Sequence, residues 1–362
     1  MTNRIIIAGG GTGGHIFPAI AIANAIVKQE PQTQILFVGA KGKMEMEKIP
    51  QAGFKIEGLD IAGFNRSSLI KNIGLPFKLV KSFIQVKRIF KNFHPTAVIG
   101  VGGYSSFPVL RFAQSMGIAS FIHESNSFAG KSNIMLGKKA TKIFVASDGM
   151  GKFFPVNKIM ITGNPVRSAI SKNDISREEG IKFFGLDPAK KTVLSIGGSL
   201  GAKSINEALD KNIDAFEENN LQLIWQTGKP YAERGREKAA GRNNVWADDF
   251  ISQMEYAYAA ADMVISRSGA MAIAELCVMK KAVIFVPFPY AAEDHQTVNA
   301  QSLVNKNAGI MIKDSEALER LVPAVLALSK EENKQQELKS NIGKLGITNA
   351  DEIIAKEILA SI

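Results

Sequence analysis

The sequence predicts an α/β protein made of two Rossmann-like domains, and three observations support this prediction. Apolar, strand-like runs alternate with helix-length segments along all 362 residues, which is the pattern of βαβ units and parallel sheets. A chain of this length fits two domains of similar size. Each half also opens with a strand that leads into a glycine-rich turn and a helix. We therefore expect two parallel sheets in domains that face each other across a cleft.

Nine apolar runs are predicted as strands, and the pattern restarts halfway along the chain. The runs are residues 4–8, 34–38, 97–101, 119–123, 142–146, 192–196, 221–226, 263–266 and 282–286. A Gly-Asn-Pro turn and a polar segment separate the fifth run from the sixth. We place an N-terminal domain at 1–165, a C-terminal domain at 166–345, and a final helix at 346–362 that returns to the first domain.

The composition excludes several classes of protein. With 46% hydrophobic and 22% charged residues, the chain has the balance of a folded globular protein. Its single cysteine, Cys277, argues against a disulfide framework or a thiolate metal site and favours a reducing compartment. No apolar run reaches the roughly 18 residues needed to span a bilayer. The net charge of +10 favours an anionic partner: nucleic acid, a lipid surface or a phosphorylated substrate.

Three glycine-rich turns follow predicted strands, at residues 9–14, 100–106 and 197–202. Such turns direct backbone N–H groups and a helix N-terminus toward an anion, usually phosphate. The first turn contains G-x-G-x-x-G, which is also found in dinucleotide-binding enzymes. Those enzymes need a carboxylate after the second strand, whereas this chain has Lys41 there and no acid before Glu45. An NADP-linked reductase remains an alternative.

Motifs for metal-dependent phosphate chemistry do not occur in the sequence. There is no Asp-x-Asp pair, no Walker lysine loop and no H-E-x-x-H. We therefore predict neither a metal site nor a cofactor.

Seven motifs together resemble the bacterial peptidoglycan glycosyltransferases of the MurG family. They follow that family's order and cover nearly the whole chain, at residues 10–19, 102–104, 123–126, 163–167, 197–202, 267–270 and 294–300. The resemblance implies a GT-B fold and an inverting, metal-independent reaction. In that reaction N-acetylglucosamine moves from UDP-GlcNAc to the C4 hydroxyl of the muramyl sugar of lipid I, which gives lipid II. Two positions depart from the pattern: Ser125 replaces a common Gln, and Ala272 replaces a common Thr.

The implied reaction needs one general base, because UDP is already a good leaving group. His15, at the head of the helix after the first glycine turn, and Glu124, at the end of a strand, are both candidates. The ordinary pKa of histidine, about 6.5, suits base catalysis at neutral pH. The alternative role for His15 is to anchor the acceptor diphosphate. The loops assigned to that diphosphate contain Gly11, Gly102, Gly103 and Tyr104.

The resemblance also assigns residues to the donor. It implies Ser199 at the UDP phosphates, Arg167 as the cation that replaces a metal, and the backbone of Ile251 at the uracil. Glu275 fits a carboxylate that accepts from ribose hydroxyls, and Gln296 and Asn126 carry amides that can read sugar hydroxyls. The motifs assign further substrate contacts to Thr12, Gly13, Gly14, Arg267, Ser268 and Gly269.

Positive charge is concentrated in the first domain. No Asp or Glu occurs from residue 61 to 123, and residues 75–93 interleave Lys and Arg with apolar residues at helical spacing. This composition predicts contact with an anionic membrane surface. An ordinary βαβ helix that packs its apolar side on the sheet and exposes its basic side to solvent would have a similar sequence. We expect a peripheral enzyme on the cytoplasmic face of the membrane, near other wall-synthesis proteins. No nucleic-acid-binding motif is visible.

Two further alternatives remain open at this level. One is a GT-B enzyme that glycosylates a different lipid acceptor. The other is a non-catalytic module that binds a UDP-sugar at the membrane.

Overall fold

The computed structural model describes residues 2–62, 74–198, 200–291 and 294–362. The chain divides into two compact units. The first unit comprises Met1–Arg167 together with Asn349–Ile362, and the second comprises Ser168–Thr348. Each unit contains a parallel sheet with helices around it, so the predicted Rossmann-like α/β fold is confirmed.

The first unit is built on a seven-stranded sheet. Its strands are β1 (Arg4–Ala8), β2 (Gln34–Ala40), β3 (Lys55–Leu59), β4 (Ala97–Gly100), β5 (Ala119–Glu124), β6 (Lys142–Val145) and β7 (Ile159–Ile161). Its first five helices are α1 (Gly13–Gln29), α2 (Glu45–Gln51), α3 (Leu75–Phe93), α4 (Ser106–Ser115) and α5 (Lys131–Gly137). The strand order is β3-β2-β1-β4-β5-β6-β7.

Strand β1 lies in the interior of this sheet, between β2 and β4, and is buried on both faces. Ile6 packs with residues of α3 and α4, whereas Ile5 and Ile7 pack with residues of α1. Strand β1 pairs with β2 on one side and β4 on the other, so the chain order reverses between β1 and β4. The loops after β1 and β4 therefore flank a topological switch point, which is the place where open parallel sheets bind their ligands.

The second unit repeats this plan on a six-stranded sheet. Its strands are β8 (Lys191–Ile196), β9 (Leu221–Gln226), β10 (Val245–Asp248), β11 (Met263–Ser266), β12 (Ala282–Phe285) and β13 (Ile310–Met311). Its helices are α6 (Ser168–Ser171), α7 (Arg177–Phe183), α8 (Lys203–Lys211), α9 (Asp214–Glu218), α10 (Ala232–Ala239), α11 (Met254–Ala260), α12 (Ala270–Val278), α13 (His295–Val304), α14 (Ala317–Lys330) and α15 (Glu332–Gly343). The strand order, β10-β9-β8-β11-β12-β13, reverses between β8 and β11.

The last helix, α16 (Ala350–Leu359), belongs to the first unit. Its Ile354 and Ile358 are fully buried in the same cluster as Ile22 and Ile26 of α1. The Gln29 side chain also donates to the backbone carbonyl of Glu352 over 2.9 Å. The N-terminal segment of the first unit ends at Arg167 and the second unit ends at Thr348, whereas the sequence placed these boundaries at residues 165 and 345.

The four strands that the sequence did not predict are the edge strands β3, β7, β10 and β13. An edge strand has a neighbour on one side only and is commonly short or polar. Strand β3, for example, alternates exposed Lys55 and Glu57 with half-buried residues. Strands β7 and β13 are apolar but only three and two residues long, and β10 ends in an acid, so none of the four shows the longer apolar run that marks the interior strands.

Candidate active site

The glycine-rich loops after β1 and β4 lie directly against each other. The Gly10 N–H donates to the carbonyl of Gly102 over 3.2 Å, and the buried Ser106 hydroxyl donates to the same carbonyl over 2.9 Å. Gly103 has φ +89°, and a Cβ there would lie 2.4 Å from the Gly10 carbonyl oxygen. Only glycine permits both this backbone angle and this approach. The loops predicted to hold the acceptor diphosphate are therefore adjacent, with Tyr104 about half exposed beside them.

His15 is half-buried in the first turn of α1, between the two loops. Its Nδ1 lies 3.1 Å from the Gly10 carbonyl oxygen and 3.4 Å from the Thr12 hydroxyl. A carbonyl oxygen can only accept, so Nδ1 carries the proton in the neutral ring and Nε2 is the basic nitrogen. The ring packs on Gly102, where a Cβ would lie 2.7 Å from His15 Nε2. This arrangement suits a general base that acts through Nε2.

The predicted contacts Gly13 and Gly14 form the start of α1. The first turn of this helix contains no acidic residue. Its N-terminal dipole is therefore not neutralised by a carboxylate from its own first turn, which suits an anionic ligand.

His123 lies on β5 and is completely buried. Burial lowers its pKa to about 4, although hydrogen bonds with the Gly163 backbone and the Asn164 side chain raise it in part. The charge of His15 also opposes protonation of His123. The imidazole is consequently neutral at pH 7 and cannot reach an acceptor in solvent.

Glu124, the second candidate base, is 5% exposed at the end of β5. Its Oε2 accepts from the Asn133 amide over 2.8 Å and from the Gly130 N–H over 3.1 Å. Its Oε1 accepts from the backbone N–H and the side-chain amide of Asn126 over 3.2 and 3.4 Å. Because four donors occupy the carboxylate, its geometry favours holding Asn126 and the start of α5 over accepting a proton from a substrate.

Arg167 is the last residue of the N-terminal segment of the first unit, and its guanidinium lies 5.4 Å from the centre of the Phe17 ring. Phe17 is in the first turns of α1, two residues after His15. The structure therefore holds this cation on the helix that carries His15.

In the second unit, the loop after β8 packs on the turn after β9. Gly201 has φ +72°, and a Cβ there would lie 2.1 Å from the Thr227 carbonyl oxygen. The Asn206 amide also donates to that carbonyl over 2.7 Å and accepts from the indole of Trp225 over 2.9 Å. These contacts with the turn after β9 hold the loop that is assigned to the UDP phosphates. Ser199, the predicted phosphate contact in this loop, lies outside the described residues.

Glu275 lies on α12, which begins after Gly269 at the carboxyl end of β11. The side chain is 9% exposed, and the Tyr258 hydroxyl donates to its Oε2 over 2.9 Å. This hydrogen bond orients the nearly buried carboxylate. A carboxylate held in one orientation suits a site that accepts hydrogen bonds from ribose hydroxyls. Ile251, the predicted uracil contact, is buried in the segment after β10.

Arg267 is bound within the second unit, a feature that the sequence did not indicate. Its guanidinium donates to Asp314 over 2.5 Å, and to the carbonyls of Val286 and Pro287 over 2.9 and 3.0 Å. A fourth contact, of 3.3 Å, reaches the Ser204 hydroxyl. The geometry favours a role in holding the loop after β12, and direct contact with the donor stays a prediction.

Ser268 and Gln296, two further predicted substrate contacts, are hydrogen-bonded to each other within the second unit. The fully buried Ser268 hydroxyl donates to the backbone carbonyl of Gln296 over 2.8 Å. The Gln296 side-chain oxygen accepts from the Phe288 N–H over 3.0 Å. The loops after β11 and β12 are therefore tied to the start of α13.

Glu45 is a site residue to which the sequence assigned no role: it was noted only as the first acid after the second predicted strand. Its carboxylate is 1% exposed and reaches the first glycine loop, where Oε2 accepts from the Gly11 N–H over 2.8 Å. The only sequence signal for this is an acid shortly after β2, and Glu47 follows it two residues later. No local pattern shows that the side chain points inward.

Helix α3 has two contrasting faces. Val86, Ile89 and Phe90 are buried on one side. Phe77, Val80 and Ile84, spaced three and four residues apart on the opposite side, are 78%, 62% and 66% exposed. We call this exposed set the α3 stripe. Lys78, Lys87, Arg88 and Lys91 are exposed on the same helix.

The described residues contain neither a membrane-spanning helix nor a cluster of metal ligands. No helix in that part of the chain is long and apolar enough to cross a membrane. Nor do three or more His, Cys, Asp or Glu side chains come together there as metal ligands.

Two Rossmann-like units, each with glycine loops at its switch point, define a class of two-domain α/β proteins whose sites suit phosphate-containing ligands. Comparison with protein families identifies the class. Residues 5–145 match the glycosyltransferase family 28 N-terminal domain, and residues 192–357 match the glycosyltransferase family 28 C-terminal domain. The chain therefore belongs to glycosyltransferase family 28.

Individual relatives are similar over nearly the full length. A protein of Phocaeicola vulgatus is 51% identical over 358 residues, which cover 98% of this chain and 95% of the relative. A protein of Bacteroides fragilis is 50% identical, with the same coverage of both chains. Both are described as UDP-N-acetylglucosamine--N-acetylmuramyl-(pentapeptide) pyrophosphoryl-undecaprenol N-acetylglucosamine transferases.

Among solved structures, the crystal structure of Acinetobacter baumannii MurG is similar to this chain. It has a TM-score of 0.81 and 27% identity, and the match covers 99% of each chain. The predicted resemblance to the MurG family is confirmed by these relatives.

Proposed function

We propose that this enzyme transfers N-acetylglucosamine from UDP-GlcNAc to the C4 hydroxyl of the muramyl sugar of lipid I, which forms lipid II. The observation that carries the proposal is the placement of His15, with Nε2 as its basic nitrogen, between two glycine loops at the switch point of the first unit. The substrates are those in the names of relatives that match nearly the whole chain.

In the proposed step, His15 Nε2 takes the proton from the acceptor hydroxyl. The hydroxyl oxygen then forms a bond to the anomeric carbon as the bond from that carbon to the UDP oxygen breaks. UDP leaves with the electron pair, and the attack from the opposite face inverts the anomeric centre. The start of α1 and the loop after β4 lie beside His15 and suit the acceptor diphosphate. The N–H groups of Gly10 and Gly11 are already bound within the protein, so the predicted contact of Gly11 with the diphosphate is not favoured.

Glu124 has a supporting role in this mechanism. Its four hydrogen-bond donors support a function in positioning Asn126, whose amide would then face the substrate. His15 is therefore the base that the geometry favours.

The donor is assigned to the second unit. The buried Glu275 carboxylate, oriented by Tyr258, suits the ribose hydroxyls, and the start of α12 after Gly269 suits a phosphate. Glu275→Gln should weaken UDP binding by about ten-fold, because a charged acceptor becomes neutral. Calorimetric titration with UDP would measure this. Glu233→Gln, an exposed acid on α10, is the control.

A transfer assay tests the reaction itself. Purified protein is incubated with radiolabelled UDP-GlcNAc and lipid I in the presence of a chelator, and the product is extracted into organic solvent. We expect label in lipid II. Transfer to diacylglycerol but not to lipid I would identify a different acceptor, and stabilisation by NADPH but not by UDP-GlcNAc would contradict the glycosyltransferase assignment.

A matched pair of variants tests the base. His15→Asn keeps an amide donor for the Gly10 carbonyl but removes Nε2, so kcat should fall by at least about a hundred-fold with UDP affinity nearly intact. His94→Asn changes an exposed histidine with φ +50°, which asparagine tolerates, and should leave kcat unchanged. Normal turnover by His15→Asn would remove His15 as the base.

We also propose that the α3 stripe contacts the anionic surface of the membrane that carries lipid I. Three exposed apolar side chains in one row, with lysines and arginine on the same helix, suit insertion at a lipid headgroup boundary. The active-site loops and α3 belong to the same unit. This arrangement supports a peripheral enzyme on the cytoplasmic face of the membrane.

A further inference from the structure

The Gly10–Gly11 peptide bond has a hydrogen-bond partner on each side. Its carbonyl oxygen lies 3.1 Å from His15 Nδ1. Its N–H donates to Glu45 Oε2 over 2.8 Å. The N–H and C=O of a trans peptide point in opposite directions, so one rigid plane separates the carboxylate from the imidazole.

Glu45 is a buried carboxylate built into this position. It is 1% exposed, and its second oxygen accepts from the Ala40 N–H over 3.0 Å. A Cβ on Gly10 would lie 2.3 Å from Glu45 Cδ, and a Cβ on Gly39 would lie 2.5 Å from its Cγ. The carboxylate thus packs directly on two glycine backbones and cannot rotate away without moving them.

The charge of Glu45 acts on a dipole that points at His15. An anion that accepts from a peptide N–H increases the negative charge on the carbonyl oxygen of the same peptide. That carbonyl then holds the Nδ1 proton more firmly and makes Nε2 a better proton acceptor. Two further titratable or charged groups lie near His15: His123 on β5, which is neutral at pH 7, and Arg167 on the Phe17 ring.

We propose that Glu45 is a positioning residue that sets the tautomer and the basicity of His15 through the Gly10–Gly11 peptide. This inference rests on the proposed function, in which His15 is the general base. It also explains the unusual glycine loop: the Gly11 N–H, which a dinucleotide phosphate would need, is already bound to a side chain of the protein.

Nuclear magnetic resonance of isotope-labelled histidine tests the proposal without turnover. The chain has four histidines, and the signal of His15 is assigned by its loss in His15→Asn. In the wild-type protein, neutral His15 should carry its proton on Nδ1. In Glu45→Gln the Nδ1–H population should fall, and the pKa of His15 should decrease by about 0.5 because a negative charge is removed. Glu47→Gln, an exposed acid on the same helix, should change neither quantity.

Kinetics provides the second readout. Glu45→Gln should lower kcat by about ten-fold and change the KM for UDP-GlcNAc by less than about two-fold. The acid limb of the kcat profile should move to lower pH with the pKa of His15.

Two results would overturn the proposal. One is an Nε2–H tautomer in the wild-type protein, which needs no variant and is decisive even if Glu45→Gln folds poorly. The other is a Glu45→Gln variant in which kcat falls while the His15 tautomer and pKa stay unchanged, since Glu45 would then only support the loop. Absence of transfer by the wild-type enzyme would reject the proposed function, and the spectra would still decide the role of Glu45.

Discussion

Individual residues in this enzyme are defined by what they contact. His15 and Glu124 are both candidate bases in the sequence, yet one presents a basic nitrogen between two loops and the other is surrounded by donors. Arg267 is likewise bound to Asp314 and to backbone carbonyls of its own unit. The chemistry available to a side chain therefore depends on partners that are distant in sequence.

Glu124→Gln tests the supporting role of that carboxylate. The variant would turn an NH2 group toward one pair of N–H donors, so we expect a loss of stability of about 1–3 kcal/mol. Urea unfolding would measure it, with Asp148→Asn as an exposed control in the same unit. Full stability combined with complete loss of transfer would instead indicate a direct catalytic role for Glu124.

Gly103→Ala tests the contact between the two loops. The alanine would need φ +89° and would place its Cβ 2.4 Å from the Gly10 carbonyl oxygen. We expect a destabilisation of at least about 2 kcal/mol and loss of transfer. Gly117 has φ +71°, and a Cβ added there would meet no atom within 4 Å. The control Gly117→Ala therefore measures only the cost of the backbone angle. Equal destabilisation by the two variants would contradict the importance of the close approach.

Among the secondary-structure elements, α3 combines two roles. It fills the position of a normal βαβ helix with one face and exposes an apolar row with the other. From the sequence, residues 75–93 fitted either an ordinary βαβ helix or a helix that contacts a membrane surface, and the sequence could not decide between the two. A single helix can serve both roles, because the two sets of residues lie on opposite sides.

Removal of the α3 stripe is expected to weaken membrane binding. A triple variant, Phe77→Ser with Val80→Ser and Ile84→Ser, exposes less apolar surface and should fold normally. We expect at least about ten-fold weaker binding to anionic vesicles in a flotation assay. The double control Val156→Ser with Ile161→Ser removes exposed apolar residues elsewhere in the same unit. Unchanged vesicle binding by the triple variant would show that the α3 stripe does not contact the membrane.

The charges of α3 can be tested separately. Lys87→Gln, Arg88→Gln and Lys91→Gln together should reduce binding to anionic vesicles, and the remaining binding should depend less on salt. Lys81 is left unchanged because it forms an ion pair of 2.9 Å with Asp60. Binding to neutral vesicles should change little, and an equal loss there would contradict an electrostatic contribution.

At the scale of the whole molecule, the chain does not divide at one point. The family's C-terminal domain model extends to residue 357, whereas the structure assigns α16 to the first unit. The first unit therefore contains both ends of the chain. Its fold depends on a helix that follows the entire second unit.

Ile358→Ala tests this dependence. Ile358 is fully buried with residues of α1, so truncation should cost about 2–5 kcal/mol of unfolding free energy. The control Ile362→Ala changes an isoleucine that is 37% exposed and should cost less than about 0.5 kcal/mol. Urea unfolding of the full chain measures both. Equal effects would show that α16 does not stabilise the first unit.

The sequence by itself determined the features that depend on local patterns. The nine predicted strands are the interior strands, and helix α3 spans the predicted residues 75–93, because burial on both sheet faces or on one helix face imposes a periodic pattern. The glycine turns and their order along the chain were also visible. Together with the other motifs of the chain, they were sufficient to predict the family.

Only the tertiary structure decided how the side chains are used. Strand β3 alternates charged and apolar residues, and β13 has only two residues, so both became visible only through their pairing with neighbouring strands. The inward position of Glu45 depends on a hydrogen bond across 34 residues of sequence. The occupied carboxylate of Glu124 likewise depends on donors brought together by folding. Hydrophobic periodicity is a property of neighbouring residues, whereas hydrogen-bond partners are set by the folded arrangement of distant segments.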